Sequence, residues 1–356
     1  MYTPSPRLAE FLASISGPDD AARSLCQRQW DSVGKPLGSL GLLEESLCRV
    51  AALTGSAEIS LSPRRLLVFC ADNGVVAEGV SQTGPEVTAL VARALAGGSS
   101  SACVFARRAG AEVLPVDVGV LDMSPCPGLL RRRVVNGTGN IARGPALTAQ
   151  ETEAALWVGI DLARQAKEEG VRLLAVGEMG IGNTTTASAL AAHFLGLDAE
   201  LVTGRGAGLS DEGLARKKAA VARALEVNQR LTLTPLGALG ALGGADIAAM
   251  AGVVLGGAAF GLPVLLDGFI SAAAALAAVR LCPACAKALL ASHRSAEPAG
   301  GALLSSLGLA PLITARLRLG EGTGALLALP LLDMALDLYH GTPFEEYGME
   351  PYTPQS

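Results

Sequence analysis

Short apolar runs of strand length alternate along the chain with stretches in which apolar positions recur at helical spacing. The runs predict strands at Leu66–Ala71, Val113–Val118, Leu173–Gly177, Val264–Leu266 and Leu289–Ser292. The helical stretches include Pro85–Ala96, Thr148–Glu169 and Asp211–Arg230. Buried strands separated by crossover-length helices form parallel sheets, because a parallel pair cannot be closed by a hairpin. Local signals agree. Thr148 and Glu151 are spaced as a capping box, and Ser210 is placed to cap the helix beginning at Asp211. The first 55 residues are helical in pattern, with no strand. The pattern therefore predicts an α/β fold with a parallel sheet, and a small helical subdomain at the chain ends.

A second regularity concerns acidic residues. Several strand candidates finish in a carboxylate followed closely by glycine: Asp72 with Gly74, Asp117 with Gly119, Glu178 with Gly180, and Asp267 with Gly268. Gly320-Glu321-Gly322 repeats the pattern near the C-terminus. Asp and Gly are ordinary turn formers, but ligands of open α/β sheets bind beyond the carboxyl ends of the strands. Five such placements predict a site there.

Two glycine-rich loops add candidate chemistry. Gly177-Glu-Met-Gly-Ile-Gly-Asn-Thr-Thr-Thr186 follows a strand and opens a helix, whose free amides suit an anion. It lacks the lysine of a P-loop, with Asn183 in its place, and Thr185 replaces the last glycine of a dinucleotide fingerprint. A monophosphate fits it better, contacted by Gly180, Gly182, Asn183 and Thr184. The second loop starts at Gly204 and leads into a helix carrying Lys217, a natural phosphate partner. His193, His293 and His340 are isolated, and no histidine is paired with a nucleophile in the sequence. No metal site and no cofactor is expected.

Composition narrows the function classes. Net charge is −5 and only 4% of residues are aromatic, so nucleic acid is not an expected partner. Hydrophobic residues make up 50% of the chain, enough for a large core. The seven cysteines are an odd number in apolar surroundings, which fits free thiols in a reducing cytoplasm. Cys282 and Cys285 have redox or zinc spacing, but no second pair of ligands stands near them. The charge-free stretch from Ile247 to Leu266 resembles a membrane span, yet it is rich in Ala and Gly and contains Pro263. A core helix ending near Gly261, followed by a buried strand, is the expectation, and no membrane is expected as a partner.

Taken in order, the motifs resemble the nicotinate-nucleotide–dimethylbenzimidazole phosphoribosyltransferase family. The matching stretches are Lys35–Glu44, Ala71–Ser81, Gly177–Thr184, Gly204–Lys217, Leu242–Gly252, Leu266–Ser271, Ser292–Pro298 and Leu317–Gly324. The resemblance implies a Rossmann-like domain with helices on both faces of the sheet over residues 61–335. It also implies a small subdomain from residues 1–60 and 336–356, and a homodimer. The implied reaction moves the 5-phosphoribosyl group from nicotinate mononucleotide to 5,6-dimethylbenzimidazole or a related base. The products are α-ribazole 5′-phosphate and nicotinate, in cobalamin nucleotide-loop assembly. The family's general base falls on Glu321 and its second site carboxylate on Glu178. Its phosphate and ribose contacts fall on Gly180, Lys217, Asp246 and Ser295, and its base pocket on Asp72, Ser81, Pro85, Met179 and Leu319.

Two departures bear on the acceptor. Asn73 stands where the family's first motif usually has histidine, and Thr83 and Pro85 replace its usual aromatic and glutamine. Proline has no side-chain polar group, so a more apolar pocket with broader acceptor tolerance is expected. The alternatives are the same transfer to a phenolic or purine base, or a non-catalytic mononucleotide-binding partner subunit.

Overall fold

A computed structural model describes residues 2–350 and Tyr352. Six parallel strands form one sheet: β1 Arg64–Ala71, β2 Ala111–Gly119, β3 Leu130–Arg131, β4 Leu173–Met179, β5 Val264–Leu266 and β6 Leu289–Ala291. Their order across the sheet is β3-β2-β1-β4-β5-β6. The chain thus winds outward in both directions from β1, and the switch point lies between β1 and β4. The five predicted strands are all present. The sequence reading missed β3, whose two residues are too few to show any periodicity.

The sheet is covered on both faces, as the apolar runs at the centre of its strands require. In β1, Leu67, Phe69 and Ala71 enter one apolar cluster while Leu66, Val68 and Cys70 enter the other. Helices Ala149–Glu168, Asn183–Leu195, Ala245–Phe260 and Phe269–Leu281 contribute to the first cluster. Helices Asp20–Ser32, Leu42–Thr54, Glu86–Ala96, Ser101–Ala109 and Thr323–Tyr339 contribute to the second. In the latter group the two ends of the chain meet. The Trp30 and Tyr339 rings lie 5.0 Å apart edge to face, and the Gly34 amide donates to the Thr342 carbonyl at 2.9 Å.

The span-like stretch resolves into a buried helix, Ala245–Phe260, then left-handed Gly261, then β5. Its glycines serve close helix packing. A methyl group on Gly252 would stand 2.0 Å from the Leu156 carbonyl oxygen, and one on Gly159 would stand 2.0 Å from that of Ala249. The apolar stretch 86–109 is likewise divided, by the turn at 97–100, into helices Glu86–Ala96 and Ser101–Ala109. The local signals hold: Thr148 and Glu151 form a reciprocal capping box, and the Ser210 side chain accepts the Gly213 amide. All seven cysteines are free, six of them buried.

Candidate active site

A cavity opens beyond the carboxyl ends of the strands, where β4 and β5 meet the loops around 206, 293–297 and 318–321. β4 delivers Glu178 to it, and the residue after β5 delivers Asp267. Glu321 enters from the turn just ahead of helix Thr323–Tyr339. Gly180, Asn183, Thr184, Ser295, Met179 and Leu319 also line this cavity.

The other expected residues stand outside the lining. Lys217 and Asp246 touch it through one intermediary each: Lys217 Nζ donates to Thr184 Oγ1 at 2.7 Å, and Asp246 Oδ2 accepts from Asn183 Nδ2 at 3.1 Å. Gly182 caps helix Asn183–Leu195 without offering a side-chain oxygen, so the first amides of that helix have no side-chain cap. Gly204 lies against the Glu297 carboxylate. Asp72 is buried after β1, where its Oδ2 accepts the Leu121 amide at 2.7 Å. Ser81 accepts the Thr83 amide, and Pro85 begins helix Glu86–Ala96 as its N-cap.

Of the five carboxylates singled out by position, three therefore converge. Asp117 is a turn former: its Oδ1 accepts the Gly119 and Val120 amides, and its Oδ2 lies 3.4 Å from Arg133 Nε. Glu321 differs from the expectation in another way. No strand precedes it, and it stands in the left-handed region at φ +60°. Its Oε2 accepts the Ala102 amide at 3.1 Å, at the N-terminus of helix Ser101–Ala109.

Burial sets the electrostatics. Glu178 is pushed up to about 8 by desolvation, reinforced by Asp246, Asp267 and Glu321 and opposed by the Asn183 amide that donates to it. Burial raises Asp246 to about 6, with Asn183 again opposing. Lys217 is fully buried and is pulled down to about 8 by desolvation, which the Glu297 carboxylate partly offsets. The cavity therefore gathers the Glu178, Asp267 and Glu321 carboxyl groups, Glu178 protonated below about 8, beside the N-terminus of helix Asn183–Leu195.

Sequence reasoning underrated Ser292–Pro298. His293 is not isolated: its Nδ1 lies 3.9 Å from Asp267 Oδ1 and 3.1 Å from Ser292 Oγ. Burial lowers the His293 ring while Asp267 opposes that effect. Glu297 accepts the Gly206 amide through Oε1 at 3.0 Å, while its buried Oε2 has no hydrogen-bond partner. Arg318 reaches the cavity from the segment before Glu321. These residues lie in motifs that the sequence displays, but only the fold brings them to β4.

A doubly wound sheet, with carboxyl groups and a helix N-terminus on a cavity beyond its strand ends, is the architecture of α/β enzymes that bind small ligands at that edge of the sheet. A sequence profile described as Phosphoribosyltransferase matches residues 15–348. The chain is 43% identical over 350 residues to the nicotinate-nucleotide–dimethylbenzimidazole phosphoribosyltransferase of Acetivibrio thermocellus, covering 98% of this chain and 99% of that protein. It is 44% identical to the one from Escherichia coli, covering 94% and 93%. The crystal structure of CobT from Thermus thermophilus superimposes with a TM-score of 0.88 and 45% identity, over 93% of this chain and 100% of that one. This chain belongs to the nicotinate-nucleotide–dimethylbenzimidazole phosphoribosyltransferase family.

Proposed function

We propose that the protein transfers the 5-phosphoribosyl group of nicotinate mononucleotide to 5,6-dimethylbenzimidazole, yielding α-ribazole 5′-phosphate and nicotinate for the nucleotide loop of cobalamin. The observation that carries this reading is the cavity shared by Glu178, Glu321 and the uncapped N-terminus of helix Asn183–Leu195. The substrate's single phosphate is assigned to the Gly180–Thr184 loop and Ser295, with Lys217 acting through Thr184. The positive end of the helix dipole and an ammonium group both favour a dianion there.

The acceptor's ring nitrogen attacks C1′ as the C1′–N bond to nicotinate breaks. The bonding pair returns to the pyridine nitrogen, so the leaving group is neutral at that atom and needs no acid. Attack from the opposite face inverts C1′ from β to α. The attacked benzimidazole is cationic, its remaining N–H is acidic, and the Glu321 carboxylate takes that proton. Glu178 holds its proton up to about 8, so it stands on the cavity as a neutral hydrogen-bonding group that can orient the ribose rather than as a second negative charge.

A second acceptor class beside dimethylbenzimidazole rests on Pro85, which stands not on the cavity wall but at the start of the helix whose Thr88 hydroxyl accepts the Ile181 amide, and the acceptor panel below tests it. A homodimer in the cytoplasm completes the reading. Leu327 and Met334, exposed on one helix, support the dimer, and the seven free thiols support the compartment. Sedimentation at equilibrium tests the dimer. The activity is tested by incubating the purified protein with nicotinate mononucleotide and a panel of benzimidazoles, adenine and phenols, with products resolved by mass. Formation of α-ribazole 5′-phosphate and equimolar nicotinate is expected. Nucleotide binding without turnover of any acceptor would establish the partner-subunit alternative instead.

A further inference from the structure

Gly320, Glu321 and Gly322 are three successive residues in the left-handed region, with φ of +89°, +60° and +82°. Only the middle one carries a side chain, and an L residue persists in that conformation where its surroundings hold it there. The surroundings here are specific. Gly322 precedes helix Thr323–Tyr339 and has no side chain with which to cap it. The capping oxygens come from Asp267, across the cavity wall on the strand β5 side. Asp267 Oδ2 accepts the Gly322 amide at 3.1 Å, and Oδ1 accepts the Gly324 amide at 2.7 Å. One carboxylate thus bridges the peptide groups on the C-terminal side of Glu321.

The ring of His293 backs this bridge. It fills the space beside Gly324 so closely that a methyl group there would stand 2.0 Å from His293 Nδ1. Asp267 is buried, and its carboxylate makes these two amide bonds rather than any to the Glu321 side chain. The Glu321 carboxylate is held separately, through Oε2, by the Ala102 amide. Its backbone and its head are therefore fixed by two independent elements of the fold.

We propose that Asp267 is a positioning residue for Glu321: its two amide bonds to Gly322 and Gly324 hold the left-handed turn that carries the Glu321 carboxylate on the cavity. This rests on the reading of Glu321 as the general base. Asn has the shape of Asp but only one acceptor oxygen, and its NH2 would face an amide N–H. Asp267→Asn therefore breaks one of the two bonds while leaving the packing in place.

The test is a double-mutant cycle read in steady-state kinetics with nicotinate mononucleotide and dimethylbenzimidazole. Asp267→Asn is expected to lower kcat about tenfold or more, the loss of one charge-assisted hydrogen bond. Its KM for the nucleotide should stay within about twofold of the parent, since the phosphate is held elsewhere. In a Glu321→Gln background the same change should cost less than about twofold, because the group it positions has gone. An equal loss in both backgrounds, or a KM rise as large as the kcat loss, overturns the positioning role. Full activity of Glu321→Gln alone would instead remove the general-base reading on which it rests. Hydrogen exchange on the unmodified protein needs no variant to fold. The peptide containing Gly322 and Gly324 should exchange slowly, and rapid exchange there overturns the proposal equally.

Discussion

Gly177 of β4 lies in contact with the backbone of Glu321: a methyl group on residue 177 would stand 2.5 Å from the Glu321 carbonyl carbon and 2.5 Å from the Gly322 nitrogen. The turn that carries the candidate base therefore rests on the sheet at a point where only a hydrogen atom fits. Gly177→Ala should displace that turn and destabilise the fold by about 1–3 kcal/mol, the usual cost of overpacking a rigid interior. Denaturant melts and kcat on the same preparation check this, and a variant with parental stability and rate would show that the turn can move freely.

Glu321→Gln keeps the side chain's size and removes its capacity to accept a proton. A loss of about 10²–10⁴-fold in kcat is expected, with nucleotide affinity retained. The loss should be greater with phenols than with benzimidazoles, because a phenol must give up its proton to become a good nucleophile. Near-normal kcat with every acceptor would reduce Glu321 to a turn residue.

Lys217 reaches the cavity through the Thr184 hydroxyl. Its removal in Lys217→Ala should raise KM for nicotinate mononucleotide about ten- to a hundredfold, the worth of one charge-assisted contact, and leave the acceptor's KM nearly unchanged. The ammonium group is pulled down to about 8 in the unliganded fold. It is cationic below that pH and neutral above it, so the wild-type nucleotide KM should climb as pH rises past about 8, while that of Lys217→Ala stays flat there. Identical pH profiles for the two proteins would place Lys217 outside phosphate binding.

Glu178 ties stability to pH. In the fold its proton is held up to about 8, against 4.5 in an unstructured chain, so folding takes up a proton between those values. The stability that this group contributes is full below about 4.5 and is lost as pH climbs to about 8. Glu178→Gln has no such proton. Its stability relative to the parent should therefore improve by about 1 kcal/mol per pH unit across that window. Chemical denaturation at pH 5 and pH 8 measures the change, and a constant difference between the two proteins would mean Glu178 is ionised in the fold.

Pro85 caps helix Glu86–Ala96, two residues short of Val87 and three short of Thr88, whose hydroxyl accepts the Ile181 amide at the edge of the cavity. Pro85→Gln should shift acceptor preference toward bases with a ring nitrogen free to accept a hydrogen bond. Competition between dimethylbenzimidazole and p-cresol provides the readout. An unchanged ratio would mean that residue 85 does not meet the acceptor.

Much of the fold was legible in the residues. β1, β4 and β5 each contain an apolar run, Leu66–Ala71, Leu173–Gly177 and Val264–Leu266, and Thr148 with Glu151 announces a helix start by local chemistry alone. The site was less legible, for a physical reason. Asp117 and Asp267 sit in similar Asp-Gly contexts at strand ends, yet Asp117 turns onto its own loop and Arg133 while Asp267 meets residues of helix Thr323–Tyr339. Sequence spacing describes a residue's own turn, whereas these outcomes depend on what the fold brings from elsewhere. The same limit hid His293, whose partner Asp267 is remote in sequence.

The contact between Trp30 and Tyr339 has a consequence for how the protein is made. Residue 30 leaves the ribosome while roughly 300 residues are still to be added, an interval of about 15–60 s at ordinary elongation rates. During that time helices Asp20–Ser32 and Leu42–Thr54 can pack on each other, but the part of their buried surface that helix Thr323–Tyr339 covers stays open, because that helix is among the last segments synthesised. Nascent chains halted before residue 323 should therefore be held by chaperones and cut between these helices, and the finished chain should resist the same protease.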